Sequence, residues 1–195
     1  LINPLHAAVG LFLDANVRAG DTAVVLGCGV LGLSIIQLLK QNAGFIAAAD
    51  IDEKKVKLAK ESGADMAVNS SQSDPVPEIL RELGENGADV VFECAGELAG
   101  GETLNQAIKI VKPFGKIVQV AHISVPIPFK PIELWWKSVK YIFPETHIKD
   151  HIMPYEYAIK ALVSGRVNVK PMITHQLKGI EKIPELIEIS SNKRK

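Results

Sequence analysis

The fold is best recognised from Thr22-Ala-Val-Val-Leu-Gly27-Cys28-Gly29-Val30-Leu31-Gly32. This stretch begins as an apolar, β-branched run, passes through a G-x-G-x-x-G motif, and continues into residues that favour a helix. In that setting each glycine has a role: the first allows a tight turn, the second lets a pyrophosphate approach the backbone, and the third lets the helix pack on the strand. The sequence therefore predicts a dinucleotide-binding loop.

The rest of the chain alternates strands and helices around this loop. Several predicted strands are continuous apolar runs, as expected when helices cover both faces of a parallel sheet. The fold class is therefore α/β, a doubly wound parallel sheet of the Rossmann type with about six strands. The predicted strands are 22–26, 45–49, 66–69, 88–93, 115–120 and 139–143, the main predicted helices are 5–17, 30–41, 53–62, 76–83, 102–110, 155–164 and 183–189, and residues 169–175 are predicted to be extended.

An acid follows the second predicted strand. Asp50 lies 23 positions beyond Gly27, where a carboxylate can accept hydrogen bonds from both hydroxyls of an adenosine ribose and repel a 2′-phosphate. That role favours NAD over NADP. The alternative is that Asp50 or Asp52 only caps the following helix. Asp52 can serve as that cap, and Lys55, one turn further on, either reaches the cofactor or is an ordinary surface lysine.

Ligands of an open α/β sheet bind beyond the carboxyl ends of the strands. For this chain we predict that this edge collects the cofactor-binding residues Gly27, Cys28, Gly29, Val30, Leu31, Gly32, Asp50, Lys55, Ala95 and Ala121. Glu93 has no obvious acid–base partner and is expected to make a structural hydrogen bond. His122 is either a loop histidine or a neighbour of the nicotinamide ring.

Composition argues against several other classes of protein. The 195 residues contain 22 Lys+Arg and 22 Asp+Glu, so no field of one sign favours binding to nucleic acid or a membrane. The uncharged residues 23–39 approach the length of a membrane span, but three glycines interrupt them. Cys28 and Cys94 have no C-x-x-C spacing, which indicates neither a zinc knuckle nor a disulfide framework. With no secretion signal at the start, we predict a cytoplasmic protein.

No metal site or catalytic group is predicted. His147 and His151 are four apart, a spacing seen in zinc ligands, but Pro144 and Pro154 flank them and no third ligand is near. The chain also has no G-x-S-x-G motif and no G-x-x-x-x-G-K-[ST] motif, which argues against a hydrolase and a nucleoside triphosphatase.

Five segments together resemble the cofactor domain of medium-chain dehydrogenases/reductases, in particular the zinc-dependent alcohol, polyol and threonine dehydrogenases. They are residues 20–33, 49–55, 59–65, 87–96 and 167–175. The likeness extends over residues 3–189. The sequence departs from the family pattern at residues 3–5, where many polyol-type members carry a glutamate beside the zinc.

The resemblance implies the NAD-binding half of an enzyme that transfers hydride between an alcohol and NAD. Family members supply the catalytic zinc from a preceding domain, so this chain alone is expected to be inactive. The implied division is a lead-in helix over 1–20, a dinucleotide-binding domain over 21–164, and a segment over 165–195 that returns to the catalytic domain. The family also implies a homodimer through the edge strand 139–143.

Three alternatives stay open at this point. A zinc-free, NADPH-dependent quinone reductase is expected to lack the acid at Asp50. An S-adenosylmethionine methyltransferase also pairs a glycine loop with an acid, although Gly32 and the residues beyond Val120 argue against it. A nucleotide-sensing module would need no catalytic group.

Overall fold

The computed structural model describes residues 2–84, 86–96, 99–145 and 152–192. In these residues six parallel strands form one sheet with the order β3-β2-β1-β4-β5-β6. The doubly wound parallel sheet predicted from the sequence is confirmed. The strands are β1 (Thr22–Leu26), β2 (Phe45–Asp50), β3 (Met66–Asn69), β4 (Ala88–Glu93), β5 (Val111–Gln119) and β6 (Lys140–Ile142).

Helices connect and cover the strands close to their predicted positions. Residues 169–175, predicted to be extended, instead contain a 3₁₀ turn at Lys170–Met172, because Pro171 has no N–H for a strand ladder and its fixed φ suits the first turn of a helix. The α-helices are α1 (Ile2–Ala15), α2 (Val30–Leu39), α3 (Glu53–Ser62), α4 (Pro75–Leu83), α5 (Gly100–Ile110), α6 (Pro131–Lys137), α7 (Ile152–Val163) and α8 (Ile183–Asn192), and a second 3₁₀ turn spans Ile180–Lys182.

Two apolar clusters hold the helices on the sheet, one on each face. On one face Leu5 of α1 and Ile36 of α2 are fully buried against the strands. On the other face Ile79 of α4 and Leu104 of α5 are equally buried. A strand covered on both sides must be apolar along its whole length, which explains the continuous apolar runs in the sequence.

The uncharged stretch 23–39 is divided between β1 and α2, as the glycines in it predicted. Ala23 to Leu26 are buried in the centre of the sheet, and α2 lies on its face. Among the residues that the structure describes, none of the helices has both the length and the apolar character that a membrane span requires.

A carboxylate joins three strands near their amino ends, away from the carboxyl ends where a ligand is expected. Asp89 of β4 accepts hydrogen bonds from the backbone N–H and the hydroxyl of Thr22 in β1, at 2.9 and 2.8 Å, and forms an ion pair with Lys112 of β5. Burial raises the pKa of Asp89, but the hydrogen bonds from Lys112 and Thr22 outweigh that effect, so the pKa lies below its ordinary value of 3.8. The ionised carboxylate therefore stabilises the folded state.

Replacing Asp89 by asparagine is expected to lower the free energy of unfolding by about 1–2 kcal/mol at pH 7, because hydrogen bonds to a charged group are lost. A carboxyl group whose pKa is depressed by folding contributes stability above its unfolded pKa and loses it as the pH falls through the folded pKa. Wild-type protein should lose this contribution below about pH 4, whereas Asp89→Asn has none to lose. Urea unfolding at pH 7 and pH 3 measures the difference.

The matched control is Glu61→Gln, which removes an exposed carboxylate paired with Lys57 at 4.0 Å. Such surface pairs contribute little, so this variant should keep the pH dependence of the wild type. If Asp89→Asn also kept it, Asp89 would not be the acid-sensitive group.

Candidate dinucleotide-binding site

The three glycines after β1 each have a separate steric reason. Gly27 has a φ of +97°, and a Cβ on it would lie 2.7 Å from the backbone nitrogen of Ala95. A Cβ on Gly32 would lie 2.0 Å from the carbonyl oxygen of Gly27, so only glycine lets α2 pack this closely. A Cβ on Gly29 would meet no atom within 4 Å. Gly27 and Gly32 are thus needed for packing, and Gly29 leaves open space.

That space lies at the amino end of α2. Gly29 is the N-cap and has an extended backbone, and the helix begins at Val30. The first N–H groups of a helix have no partner within it, and the helix dipole adds partial positive charge there. The N–H groups of Val30 and Leu31 are therefore free to donate to phosphate oxygens, which is the role that the motif predicts for them.

Asp50 lies directly behind the loop, at the end of β2. It is 9% exposed, and its Oδ2 accepts a hydrogen bond of 2.7 Å from the N–H of Cys28. Its Oδ1 accepts one of 3.0 Å from the N–H of Asp52. Each carboxylate oxygen has a second lone pair, so Asp50 can hold the loop and still accept from a ribose hydroxyl.

The neighbouring charges divide as the sequence suggested. Asp52 is the N-cap of α3, and its Oδ1 accepts from the N–H of Lys54 at 2.9 Å. The capping role is therefore filled by Asp52 rather than Asp50. The Lys55 Nζ lies 3.7 Å from Asp50 Oδ1 and its side chain is 44% exposed, so it is beside the predicted ribose position rather than remote on the surface.

The two cysteines are not thiolates at neutral pH. Burial, and then the charge of Asp50, raise the pKa of Cys28 to about 12. Burial, followed by the charge of Glu93, also raises the pKa of Cys94 well above its ordinary value. Cys28 contributes to the predicted site through its backbone N–H, and that N–H is donated to Asp50.

The turns after β4 and β5 form the other half of the edge. Gly96 has a φ of +63°, and a Cβ on it would lie 2.7 Å from the Cβ of Ala121. Glu93 is fully buried and accepts hydrogen bonds from the N–H groups of Ala95 and Gly96 at 3.0 and 3.3 Å. The predicted structural role of Glu93 is confirmed, and the structure brings Ala95 and Ala121 to the same edge as the glycine loop.

An apolar cavity of about 620 Å³ opens beside these turns. Exposed His122 lies on its rim, and Leu104, Ile127, Leu134 and Tyr141 contribute to its walls. Gln119 and Tyr141, which were not predicted from the sequence, link this cavity to Glu93 by hydrogen bonds. The available signal was the polar Gln119 at the end of an otherwise apolar strand.

The site contains no metal centre in the part of the chain that the structure describes. No group of three or more His, Cys, Asp and Glu side chains there could hold an ion. The resemblance assigns the zinc ligands to a preceding domain, and none of the described residues forms a site that would hold the ion. His147 and His151, the pair with zinc-like spacing, lie outside the described residues.

The glycine loop, the helix start behind it and the carboxylate at the end of β2 define a dinucleotide-binding domain of the Rossmann class. A profile of the zinc-binding dehydrogenase family matches residues 30–163. The chain belongs to that family.

Individual relatives agree with this assignment. Sorbitol dehydrogenase 1 of Saccharomyces cerevisiae is 33% identical over 184 residues, covering 91% of this chain and 50% of the relative. A zinc-binding dehydrogenase of Sinorhizobium meliloti 1021 bound to NADP has a TM-score of 0.82 at 25% identity, over 94% of this chain and 53% of that one. A short chain alcohol dehydrogenase of Escherichia coli CFT073 complexed with NADH has a TM-score of 0.82 at 25% sequence identity, over 97% of this chain and 54% of that one. The chain thus spans about half the length of the curated relatives it matches.

Proposed function

We propose that this chain is the NAD-binding half of an alcohol or polyol dehydrogenase. The observation that carries the proposal is Asp50, a buried carboxylate at the end of β2 that holds the glycine loop through Cys28 and keeps free lone pairs. A 2′-phosphate placed beside this carboxylate would be repelled. The structural neighbours include one protein solved with NADP and one with NADH, so the preference rests on Asp50.

The residues of this chain would bind and orient the cofactor. The start of α2 would donate its free N–H groups to the pyrophosphate, and Asp50 would fix the adenosine ribose. The turns at Ala95 and Ala121 offer small side chains against which a flat ring can lie. Bound NAD supplies the hydride chemistry, and the alcohol is the proposed substrate of the whole enzyme. This chain alone is proposed to bind the cofactor without turning over substrate.

Calorimetric titration with NAD and NADP tests the proposal. We expect the wild type to bind NAD at least about tenfold more tightly, the size of effect expected from about 1.4 kcal/mol of repulsion. Asp50→Ala should bring the two affinities to within about threefold. Tighter binding of NADP by the wild type, or an unchanged ratio in Asp50→Ala, would show that Asp50 does not select the cofactor.

Asp52→Ala is the matched control, because it removes an exposed carboxylate two residues away that only caps α3. It should cost about 1 kcal/mol of stability and leave the NAD to NADP ratio unchanged. S-adenosylmethionine provides a third arm of the titration: binding of this ligand alone would indicate a methyltransferase.

We propose further that the chain forms a homodimer through β6 and acts in the cytoplasm. β6 is the outer strand of the sheet beside β5, and such an edge favours pairing with a second copy. Trp135 and Trp136 of the adjacent α6 are 67% and 72% exposed, which suits an interface. Cys28 and Cys94 are free thiols, consistent with a reducing compartment. Sedimentation velocity of the chain tests the dimer.

A further inference from the structure

Polar side chains form a continuous chain across three strands at the cofactor edge. Glu93, at the end of β4, is fully buried. Its carboxyl group accepts hydrogen bonds from the N–H groups of Ala95 and Gly96, from Thr103 Oγ1 at 2.7 Å and from Gln119 Nε2 at 2.6 Å. Each of the four neighbours can donate, so both oxygens of Glu93 act as hydrogen-bond acceptors.

The hydrogen bonds of Gln119 fix its direction. The Nε2 group donates to Glu93 and also to the carbonyl oxygen of Ala121 at 2.7 Å. The Oε1 atom accepts from the hydroxyl of Tyr141 at 2.5 Å. Turning the amide over would place its oxygen against two acceptors. Burial, and then the charge of Glu93, raise the pKa of Tyr141 to about 12, so its hydroxyl keeps the proton that it donates.

This chain of hydrogen bonds ends on backbone groups that face the ligand edge. Glu93 fixes the turn at Ala95 and Gly96, and Gln119 fixes the carbonyl of Ala121. The two turns also lie close together, with so little space between them that a Cβ on Gly96 would lie 3.0 Å from the carbonyl oxygen of His122. A small rotation of either turn would therefore displace the other.

The position of these turns identifies which part of a dinucleotide they would meet. A doubly wound sheet consists of two mononucleotide-binding halves, and the dinucleotide lies across the crevice between them. Asp50 on β2 belongs to the half proposed to hold the adenosine. The turns after β4 and β5 belong to the other half, which leaves the nicotinamide nucleotide for them.

We propose that Tyr141 and Gln119 are positioning residues for the nicotinamide half of the cofactor. Tyr141 acts through Gln119: its hydroxyl orients the amide, the amide orients the carbonyl of Ala121, and Glu93 secures the neighbouring turn. This inference rests on the proposed NAD-binding function. It makes the edge strand β6, which contributes Tyr141, part of the cofactor site.

The test compares NAD with ADP-ribose, which lacks the nicotinamide, by calorimetric titration of the full chain. Tyr141→Phe keeps the ring and removes only the hydroxyl. We expect it to bind NAD about three- to tenfold more weakly, the range expected for one hydrogen bond, and to bind ADP-ribose within about twofold of the wild type. A general loss of structure would weaken both ligands alike, so equal losses would overturn the proposal.

A second variant tests whether Tyr141 acts through Gln119. Gln119→Leu should also lower the affinity for NAD more than that for ADP-ribose. The double variant Tyr141→Phe/Gln119→Leu should bind NAD no more weakly than Gln119→Leu alone, because both changes break the hydrogen bond between Tyr141 and Gln119. Additive losses would mean that Tyr141 acts on the cofactor independently. They would overturn the proposed relay, the series of hydrogen bonds from Tyr141 through Gln119 to Glu93.

The matched control is Tyr155→Phe, which removes a phenol hydrogen bond that joins α7 to Asn3 Oδ1 in α1 and has no part in the proposed relay. It should leave both affinities unchanged. If wild-type protein binds no NAD, the proposed function fails. If the wild type binds NAD and Tyr141→Phe binds it equally well, only the positioning role fails.

Discussion

Gly32→Ala is expected to destabilise the protein by about 3 kcal/mol or more, which corresponds to a fall in Tm of about 6–12 °C for a chain of this size. The new Cβ would lie 2.0 Å from the carbonyl oxygen of Gly27 and 3.3 Å from Val25 Cγ1. Val25 lies in the central strand β1, and Gly27 directly follows that strand and donates its N–H to the carbonyl of Ala49, so α2 must move away from β1. Thermal unfolding followed by circular dichroism measures the loss.

The displacement of α2 should also lower the affinity for NAD, because the same movement opens the glycine loop. A Tm within about a degree of the wild type would mean that the loop can relax locally and that close packing of α2 on β1 is not required. Gly29→Ala, three residues away in the same loop, is the natural comparison.

Gly29→Ala is expected to separate binding from folding. Its φ of −73° is accessible to alanine, and the added Cβ meets no protein atom within 4 Å. The Tm should therefore fall by no more than about 3 °C, because alanine is a poorer N-cap than glycine. The methyl group would, however, occupy the space through which a phosphate approaches the start of α2.

We expect the affinity of Gly29→Ala for NAD to fall by at least about tenfold, since a displaced pyrophosphate loses hydrogen bonds from the first N–H groups of the helix. Calorimetric titration of the folded variant measures it. Unchanged affinity would place the pyrophosphate elsewhere and would remove the basis for assigning the loop.

The fold was predictable from the sequence because its signals are local. Apolar runs of strand length alternate with helical patterns, and the glycine motif lies where β1, a tight turn and α2 follow one another. The capping role of Asp52 was also predictable, since Asp52 immediately precedes α3. In each case the deciding neighbours are within a few residues.

The relay from Tyr141 to Glu93 was not predictable, because it depends on the register of three strands. β5 pairs with β4 through Ala88↔Val111 and then Val90↔Lys116, so a bulge separates the two pairs. Only beyond that bulge does Gln119 come opposite Glu93. The hydrogen bond from the Cys28 N–H to Asp50 was not predictable for a similar reason, since it joins residues 22 positions apart.

The strand order also affects when the site is completed during synthesis. β1, β2 and β3 are neighbours in both sequence and space, so they can assemble before β4 has left the ribosome. The glycine loop packs against Ala95, and Cys94 N–H donates to the carbonyl of Leu26 in β1. A nascent chain therefore gains a fully shaped phosphate loop only after β4 and residues 94–96 have emerged from the exit tunnel.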